Sequence, residues 1–412
     1  MVKKSEPNTQ NAERSSMDVP EKPGRKSSKK NIREKADELT VRIEKFKRGP
    51  QAPVRHIKDK KLRGQLRASE LLVSDAVLSA AKAEQWLLPA EAGTLEAEGM
   101  ERTYRFQQVE ILKEIETVSA QKAFDLSLPT LGPYHLKYTR SGRHALLGGR
   151  QGHLAIMEWG RAHLVTELQV KETTRDIAFL HNETFFAAAQ KKHVYIYDKR
   201  GLEVHCLRDH NEVHAMQFLP YHFLLATIGK PGVLVYQDTS TGQMVAEHKT
   251  KLGRCDVLQQ NPWNAVLCAG HHNGVVTMWS PNSSGPLVQM LCHQGPIKAI
   301  AVDMEGYHMV TAGQDKQVKV WDVRTYKPIH NYFSAAPAVS LDISQRRLLA
   351  VGYSGHVQVW KDALNQKATA PYMNHHLPPG AKVENVTFCP YDDVLGVGHS
   401  KVHSRCHPRS AL

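Results

Sequence analysis

The fold of this chain is decided by one stretch of its sequence, Tyr307-His308-Met309-Val310-Thr311-Ala312-Gly313-Gln314-Asp315-Lys316-Gln317-Val318-Lys319-Val320-Trp321-Asp322. It contains two short runs of strand-forming residues, and a turn with Gly313 and Asp315 separates them. The second run ends on Trp321-Asp322. Short β-branched runs bounded by glycine and aspartate are typical of β-hairpins. The stretch therefore predicts two antiparallel strands that end on an aromatic anchor.

The same unit recurs outward from this stretch in both directions. Its anchor residues are, in chain order, Trp159, Tyr197, Tyr236, Trp279, Trp321 and Trp360. They are separated by 38, 39, 43, 42 and 39 residues, and a four-stranded propeller blade takes ~40–45 residues. A seventh, partial unit begins at Val383 and runs to Gly398. The spacing predicts an all-β fold, a seven-bladed WD-repeat β-propeller.

The polar residues of the best copy have a structural interpretation. In WD-repeat blades a set of the type His293, Thr311, Asp315 and Trp321 forms a hydrogen-bonded staple, because buried polar groups need partners. We therefore expect a structural role, and no catalytic role, for the blade residues Trp159, Tyr197, Tyr236, Trp279, His293, Asp315, Trp321 and Trp360.

Charge is distributed unevenly along the chain. The net charge is +13, and residues 1–67 contain 20 Lys and Arg against 9 Asp and Glu. The remaining residues carry 34 basic against 32 acidic side chains. A near-neutral body with a basic arm indicates contact with a polyanion through the arm. A solubilising tail that also serves as a nuclear import signal is the alternative.

If the polyanion is RNA, the cations of this arm are the candidate contacts. They are Arg25, Lys26, Lys29, Lys30, Lys45, Lys47, Arg48, Arg55, Lys58, Lys60, Lys61, Arg63 and Arg67.

Four zones are predicted along the chain. Residues 1–55 are polar and poor in aromatics, so they are expected to form a disordered basic arm. Residues 56–120 form a helical extension with amphipathic helices at about Ile57–Leu88 and Glu98–Thr117; the first has an apolar stripe of Leu62, Leu66, Val73, Val77, Ala80 and Ala81. Residues 121–399 form the propeller, and residues 400–412 form a divergent tail.

Several function classes find no support in the sequence. No apolar run is long enough for a transmembrane helix and no secretory signal is present, so we expect a cytosolic or nuclear protein without membrane contact. The six cysteines lack metal-finger spacing and are expected to be free thiols. No hydrolase, phosphate-loop or metalloprotease motif appears. We therefore expect no enzyme activity, no metal, no cofactor and no small-molecule substrate.

A second interpretation rests on Trp321-Asp322-Val323-Arg324. This stretch resembles the WD-x-Arg signature of propellers that act as substrate receptors of cullin-type ubiquitin ligases. Arginine shortly after a blade's Trp-Asp is also common in WD repeats generally. A ligase receptor remains the alternative function.

Longer phrases of the propeller resemble one particular family, the BING-type WD-repeat proteins. The phrases are Arg175-Asp176-Ile177-Ala178-Phe179-Leu180-His181-Asn182-Glu183, Gln190-Lys191-Lys192, His210-Asn211-Glu212-Val213, Phe218-Leu219-Pro220-Tyr221-His222-Phe223-Leu224-Leu225-Ala226-Thr227, Gln260-Asn261-Pro262 and Phe388-Cys389-Pro390. The resemblance implies a non-catalytic scaffold of the small-subunit processome in the nucleolus. Implied partners are pre-ribosomal RNA, a box C/D small nucleolar RNA and other processome proteins, and the implied role is maturation of small-subunit ribosomal RNA.

The resemblance breaks after His399. Residues 400–412 contain Lys401, Arg405 and Pro408, which have poor β-propensity. We therefore expect an incomplete last blade. Residues 123–129 alternate apolar and polar side chains and are expected to offer a closing strand that lacks a partner in that blade.

Overall fold

The computed structural model describes residues 43–49, 54–87, 95, 97, 101–114, 120–128, 131–400 and 403–408. The chain divides into two compact units, Met1–Glu91 and Ala92–Leu412. Of the predicted RNA contacts, Arg25, Lys26, Lys29 and Lys30 lie outside the described residues.

A single long helix dominates the described part of the first unit. Helix α1 spans Lys60–Leu87, close to the predicted bounds. It begins after Asp59, whose Oδ1 accepts a hydrogen bond from the Lys61 backbone N–H at 2.9 Å. Such a bond satisfies one of the free donors at a helix start. The predicted stripe faces inward along most of its length, since Leu66, Val73, Val77 and Ala80 are half-buried and Ala81 is buried; Leu62 is exposed.

The disorder predicted for residues 1–55 does not extend to its described end. Residues 43–46 are helical and Val54–His56 form a 3₁₀ turn. The Arg48 side chain donates to Glu70 Oε1 on α1 at 2.9 Å, and Ile43 lines a small cavity with Val73 and Val77. Composition alone predicted disorder, but contacts with α1 order this segment.

The second unit contains seven four-stranded antiparallel sheets. Strand β1 (Phe124–Ser127) comes first in the chain and belongs to the last of these sheets. Three blades follow, β2–β5 (Tyr134–Tyr138, His144–Gly149, His153–Glu158, His163–Gln169), β6–β9 (Asp176–Phe179, Phe185–Ala189, Val194–Asp198, Glu203–Leu207) and β10–β13 (Val213–Leu219, Leu224–Gly229, Val233–Asp238, Met244–Lys249). Three more are β14–β17 (Cys255–Gln260, Leu267–His271, Val275–Trp279, Val288–Leu291), β18–β21 (Ile297–Val302, His308–Gly313, Gln317–Asp322, Lys327–Phe333) and β22–β25 (Ser340–Ile343, Leu349–Gly352, His356–Trp360, Met373–His376).

The remaining sheet joins two distant parts of the chain. It has the order β1-β28-β27-β26, in which β26 is Val383–Phe388, β27 is Val394–His399 and β28 is His403–Pro408. Strand β1 pairs with β28, for example Phe124 with Cys406. The prediction that residues 123–129 supply a closing strand is confirmed. A propeller closed in this way leaves no long open sheet edge between its ends.

The prediction of an incomplete last blade is wrong, because β28 fills the third position of this sheet and pairs with β27 and β1. The prediction gave too much weight to side-chain propensity, which is worth only ~1 kcal/mol and depends on context. A segment placed between two strands can satisfy its backbone groups on both sides. Pro408 is the last residue of β28, where its missing N–H removes little of the ladder.

The first and last blades meet through glycines. A Cβ at Gly398 would collide with the Tyr134 carbonyl oxygen, and one at Gly396 would collide with the Leu136 side chain. The Asn385 side chain donates to the Leu136 carbonyl oxygen at 2.8 Å. Close backbone approach and this hydrogen bond therefore close the ring between the last and first blades.

Residues that precede β1 also pack on the propeller. The predicted helix at about Glu98–Thr117 is shorter where it is described, a 3₁₀ turn at Thr103–Arg105 followed by helix α2, Gln108–Glu114. Ile111 of α2 is buried in the apolar cluster of the last two blades, and the partly buried Phe106 packs against the same cluster. No helix among the described residues is long and apolar enough to cross a membrane.

Candidate interaction surfaces

The best-formed polar cluster of the propeller is the predicted staple in the fifth blade. His293 Nδ1 lies 3.0 Å from Asp315 Oδ1, and His293 Nε2 lies 2.8 Å from Thr311 Oγ1. The Trp321 indole N–H donates to the same Thr311 oxygen at 3.0 Å. Burial lowers the pKa of His293, and the Asp315 carboxylate partly opposes this effect. Every polar atom in the set has a partner inside the blade, so the arrangement is suited to fixing strands together.

Other blades hold their anchors with different polar groups. In the third blade His210 contacts Thr227 Oγ1 and Gln237 Oε1, both at 2.6 Å. In the fourth blade His271 Nε2 lies 2.8 Å from Thr277 Oγ1. The anchors lie within two residues of the end of the third strand of six blades and are buried, except for the half-buried Trp360. This placement is consistent with a packing role for the predicted blade residues.

The strands of each blade alternate in direction, which gives the propeller two faces. One face carries the loops from first to second strand and from third to fourth strand. Of the seven exposed aromatic side chains of the described propeller, six lie in these loops, Tyr221, Phe223, Trp263, Tyr307, Tyr326 and Tyr391. We call these six residues and their loops the aromatic face.

Arginines accompany the aromatic rings on this face. The Arg140 guanidinium lies 4.4 Å from the Tyr221 ring centre and hydrogen-bonds to the Tyr221 hydroxyl. A groove of about 470 Å³ runs beside them toward Trp263, which is 74% exposed. Aromatic and arginine side chains dominate the binding energy of protein interfaces. This face was not predicted from the sequence; the signal was an aromatic residue in the first loop of several blades.

Arg324 of the WD-x-Arg stretch lies on the same face. Its guanidinium lies 4.8 Å from the Tyr307 ring centre, and its Nε lies 3.2 Å from Asp322 Oδ1. The Asp322 carboxylate also accepts the Arg324 backbone N–H at 2.9 Å. The residue therefore stabilises its own turn while its side chain stays 64% exposed.

The central channel is lined by first strands of the blades and contains both signs of charge. Lys137 Nζ lies 3.6 Å from Asp176 Oδ1. The Asp176 carboxylate also accepts the Met216 backbone N–H at 2.7 Å, and Asp342 accepts the Phe388 N–H at 2.6 Å. These carboxylates connect neighbouring blades, so the channel is held together by the groups that line it.

The basic segment of the first unit is largely accessible. Its exposed cations are Lys45, Lys47, Arg48, Lys58, Lys60, Lys61 and Arg67, and Arg63 is half-buried. Arg55 falls in the described 3₁₀ turn, but its side chain lies outside the described set. Lys60, Arg63 and Arg67 recur at helical spacing, so they lie on one side of the first turns of α1. Lys60 and Arg67 of this row are exposed and can contact successive phosphates.

The described side chains contain no group of three or more His, Cys, Asp or Glu that could hold a metal ion. Five cysteines, Cys206, Cys255, Cys268, Cys292 and Cys389, are free thiols, as predicted. Burial raises the pKa of the Cys255, Cys268 and Cys292 thiols to about 12. These buried thiols stay protonated and behave as small apolar side chains.

Comparison with known proteins gives two family matches. Residues 371–407 match the BING4CT (NUC141) domain and residues 285–322 match the WD domain, G-beta repeat. The BING4CT match includes most of β28, so family similarity continues past His399, where the sequence had indicated a break.

Full-length relatives extend this similarity to most of the chain. U3 small nucleolar RNA-associated protein 7 of Saccharomyces cerevisiae is 45% identical over 359 residues, which is 83% of this chain and 64% of that protein. WD repeat-containing protein 46 of Homo sapiens is 43% identical over 344 residues, 82% of this chain and 56% of that protein. The Caenorhabditis elegans protein of the same name is 43% identical over 298 residues, 72% of this chain and 51% of that protein. The chain thus spans between about half and two thirds of the length of these relatives.

Proposed function

This chain belongs to the BING-type WD-repeat proteins, and from that premise we propose that it is a non-catalytic scaffold of the small-subunit processome. It supports the maturation of small-subunit ribosomal RNA in the nucleolus. The observation that carries the proposal is 45% identity over 359 residues to a protein named for its association with U3 small nucleolar RNA. The match of residues 371–407 to the BING4CT (NUC141) domain supports the same assignment.

The proposed division of labour follows the predicted domains. The basic arm, residues 1–55, and the helical extension, residues 56–120, contact pre-ribosomal RNA and box C/D small nucleolar RNA. The exposed cations of residues 45–67 support this role, because contacts with phosphate need accessible positive charge and do not depend on the nucleotide sequence of the RNA. The propeller, residues 121–399 with β28 completing its last sheet, binds other processome proteins.

The aromatic face supports the protein-binding half of the proposal. Trp263 and Tyr221 are 74% and 69% exposed and line one groove, and an exposed apolar patch on a folded protein usually marks an interaction site. Such side chains lose little conformational entropy on binding and bury a large area. We therefore assign the docking of processome proteins to this face.

Crosslinking in cells followed by sequencing of the bound RNA tests the proposal. We expect enrichment of pre-ribosomal RNA and a box C/D small nucleolar RNA over a matched control propeller. Recovery of neither RNA above background would refute the RNA half. Co-purification separates the proposal from its alternative, because a ligase receptor would recover cullin adaptors in place of ribosome-assembly factors.

The contribution of the arm is measured separately. Deletion of residues 1–67 should flatten the dependence of log K for RNA on log salt, by ~0.7 for each single-strand phosphate that the arm neutralises. An unchanged slope in the deletion variant would show that the arm neutralises no phosphates.

A further inference from the structure

The face opposite the aromatic face has its own chemistry. It carries the loops from second to third strand and from each blade to the next. In the first three blades these are residues 150–152, 170–175, 190–193, 208–212, 230–232 and 250–254. They contain nine cations, Arg150, Lys171, Arg175, Lys191, Lys192, Arg208, Lys230, Lys251 and Arg254, and three acidic residues, Glu172, Asp209 and Glu212. We call these six loops the basic arc.

Backbone hydrogen bonds show that neighbouring loops of the arc touch. The Thr174 N–H donates to the Arg150 carbonyl oxygen at 3.1 Å. The Glu212 N–H donates to the Lys192 carbonyl oxygen at 2.8 Å, and the Lys230 N–H donates to the Glu212 carbonyl oxygen at 3.1 Å. The loop of residues 250–254 joins through Thr250, whose N–H donates to the Gly232 carbonyl oxygen at 3.0 Å. The Arg175 N–H donates to the Ala189 carbonyl oxygen at 2.8 Å, directly beside residues 190–193. Side chains far apart in sequence therefore form one continuous surface.

Most of the positive charge on this surface is not neutralised. Lys230 lies 4.0 Å from Glu212, and Arg254 lies 2.5 Å from Asp256. Seven of the nine cations have no carboxylate within 4.0 Å among the described residues. Arg175 is half-buried and donates to the Val213 carbonyl oxygen at 3.4 Å. The other six are exposed: Arg150, Lys171, Lys191, Lys192, Arg208 and Lys251. Like charges held close together raise the free energy of the unbound protein, so a polyanion that covers them gains affinity.

The charge is confined to one half of this face. The corresponding described loops of the last four blades contain two lysines, Lys316 and Lys382, and one aspartate, Asp315. A surface that served solubility alone would not need its cations on one side of the ring. The asymmetry indicates a ligand that lies across the first three blades.

The composition of the arc also identifies the class of ligand. None of the large apolar side chains that are exposed in the described propeller lies in its six loops. Protein interfaces depend on buried aromatic and apolar anchors, whereas contact with a nucleic-acid backbone depends on Lys and Arg. We propose that the basic arc binds the phosphodiester backbone of RNA. The identity of that RNA as pre-ribosomal RNA rests on the proposed function.

The test uses the full chain and a pair of variants with the same change in net charge. The arc variant carries Lys171→Gln, Lys191→Gln, Lys192→Gln and Lys251→Gln. The control variant carries Lys316→Gln, Lys327→Gln, Lys367→Gln and Lys382→Gln, four exposed lysines outside the arc. Binding of a fluorescent single-stranded RNA of about 20 nucleotides is measured by anisotropy over a range of salt concentrations, and circular dichroism checks the fold of both variants.

We expect the arc variant to bind RNA roughly 10- to 100-fold more weakly near physiological salt, and its salt slope to fall by up to ~3. The control should stay within about threefold of the unmodified chain. Equal losses in both variants would overturn the proposal, as would an arc variant that binds RNA normally but loses binding to an acidic peptide. The proposed function can fail independently, because cells could show no pre-ribosomal RNA at crosslinks while the purified arc still binds RNA.

Discussion

The two faces of the propeller are built from the same hairpins but present different chemistry. Loops on the aromatic face expose rings such as Trp263 and Tyr221, and loops on the opposite face expose unpaired cations such as Lys191 and Lys251. Both sets are fixed on rigid strands, so each surface is largely preformed. This difference underlies our proposal that one ring holds a protein on one side and a nucleic-acid backbone on the other.

The largest effect on stability is expected from a substitution that opens the ring, because both faces depend on the closed propeller. Gly398→Val places a side chain against the Tyr134 carbonyl oxygen and should lower the free energy of unfolding by about 4 kcal/mol or more. Chemical denaturation measures the change. Gly285→Ala, at a position with open space around it, is the control. Normal stability of Gly398→Val would mean that the first and last blades do not need this close approach.

The next largest effect is on binding, and it distinguishes the aromatic face from the basic arc. Trp263→Ala together with Tyr221→Ala should weaken binding of the protein partner that co-purifies with the chain by about 2 to 4 kcal/mol, because exposed rings beside arginines are typical hot spots. RNA affinity should not change. Titration of the double variant with that partner and with the RNA oligonucleotide measures the two affinities. A fall in RNA affinity equal to the fall in protein affinity would remove the distinction between the faces.

Low pH should destabilise the blades near the face that carries the basic arc, where His210, His271 and His293 are buried. Burial lowers the pKa of His271 to about 4, while in the unfolded chain the pKa is about 6.5. The unfolded state therefore binds more protons below pH 6.5, and stability falls as the pH drops from there toward 4.

Between pH 7 and pH 5 we expect His271 alone to account for a loss of about 2 kcal/mol. Urea denaturation at both values measures it. The variant His271→Gln should show a smaller difference between pH 7 and pH 5. A pH dependence that is unchanged in this variant would place the titrating groups elsewhere.

The smallest effect concerns Arg324, on the aromatic face. Its ring contact and ion pair are exposed, so Arg324→Ala should change the free energy of unfolding by only about 0.5 kcal/mol. Co-purification with this variant should still recover ribosome-assembly factors. Loss of a cullin adaptor on this substitution would favour the ubiquitin-ligase alternative.

The repeat was predictable because each blade is local in sequence. The anchor aromatics recur at about 40 residues, and the closing strand Phe124–Ser127 alternates apolar and polar residues. Strand β28 was not predictable from propensity, because one of the two strands that hold it in place is β1, where Phe124 lies 282 positions before its partner Cys406. Its other neighbour is β27.

The basic arc was not predicted, because the charge was summed over the whole propeller. Summed over the propeller, acidic and basic residues nearly cancel, although the cations Arg150, Lys171, Lys191, Arg208, Lys230 and Lys251 recur at about 20 residues. Half a blade is about this length, so each cation returns to the same face. A charge pattern tested at half the blade repeat would have found the arc, whereas net charge alone assigned all polyanion contact to the arm.

Closure by strands from both ends of the ring also determines when the ring can close during synthesis. Strand β1 leaves the ribosome about 280 residues before its partner β28, and at ~5–20 residues per second this interval lasts about 15 to 55 seconds. Contacts of such long range are slow to form. Closure of the ring is therefore the last step in the folding of the propeller, and a partner that recognises the closed ring binds only chains whose translation has passed Pro408.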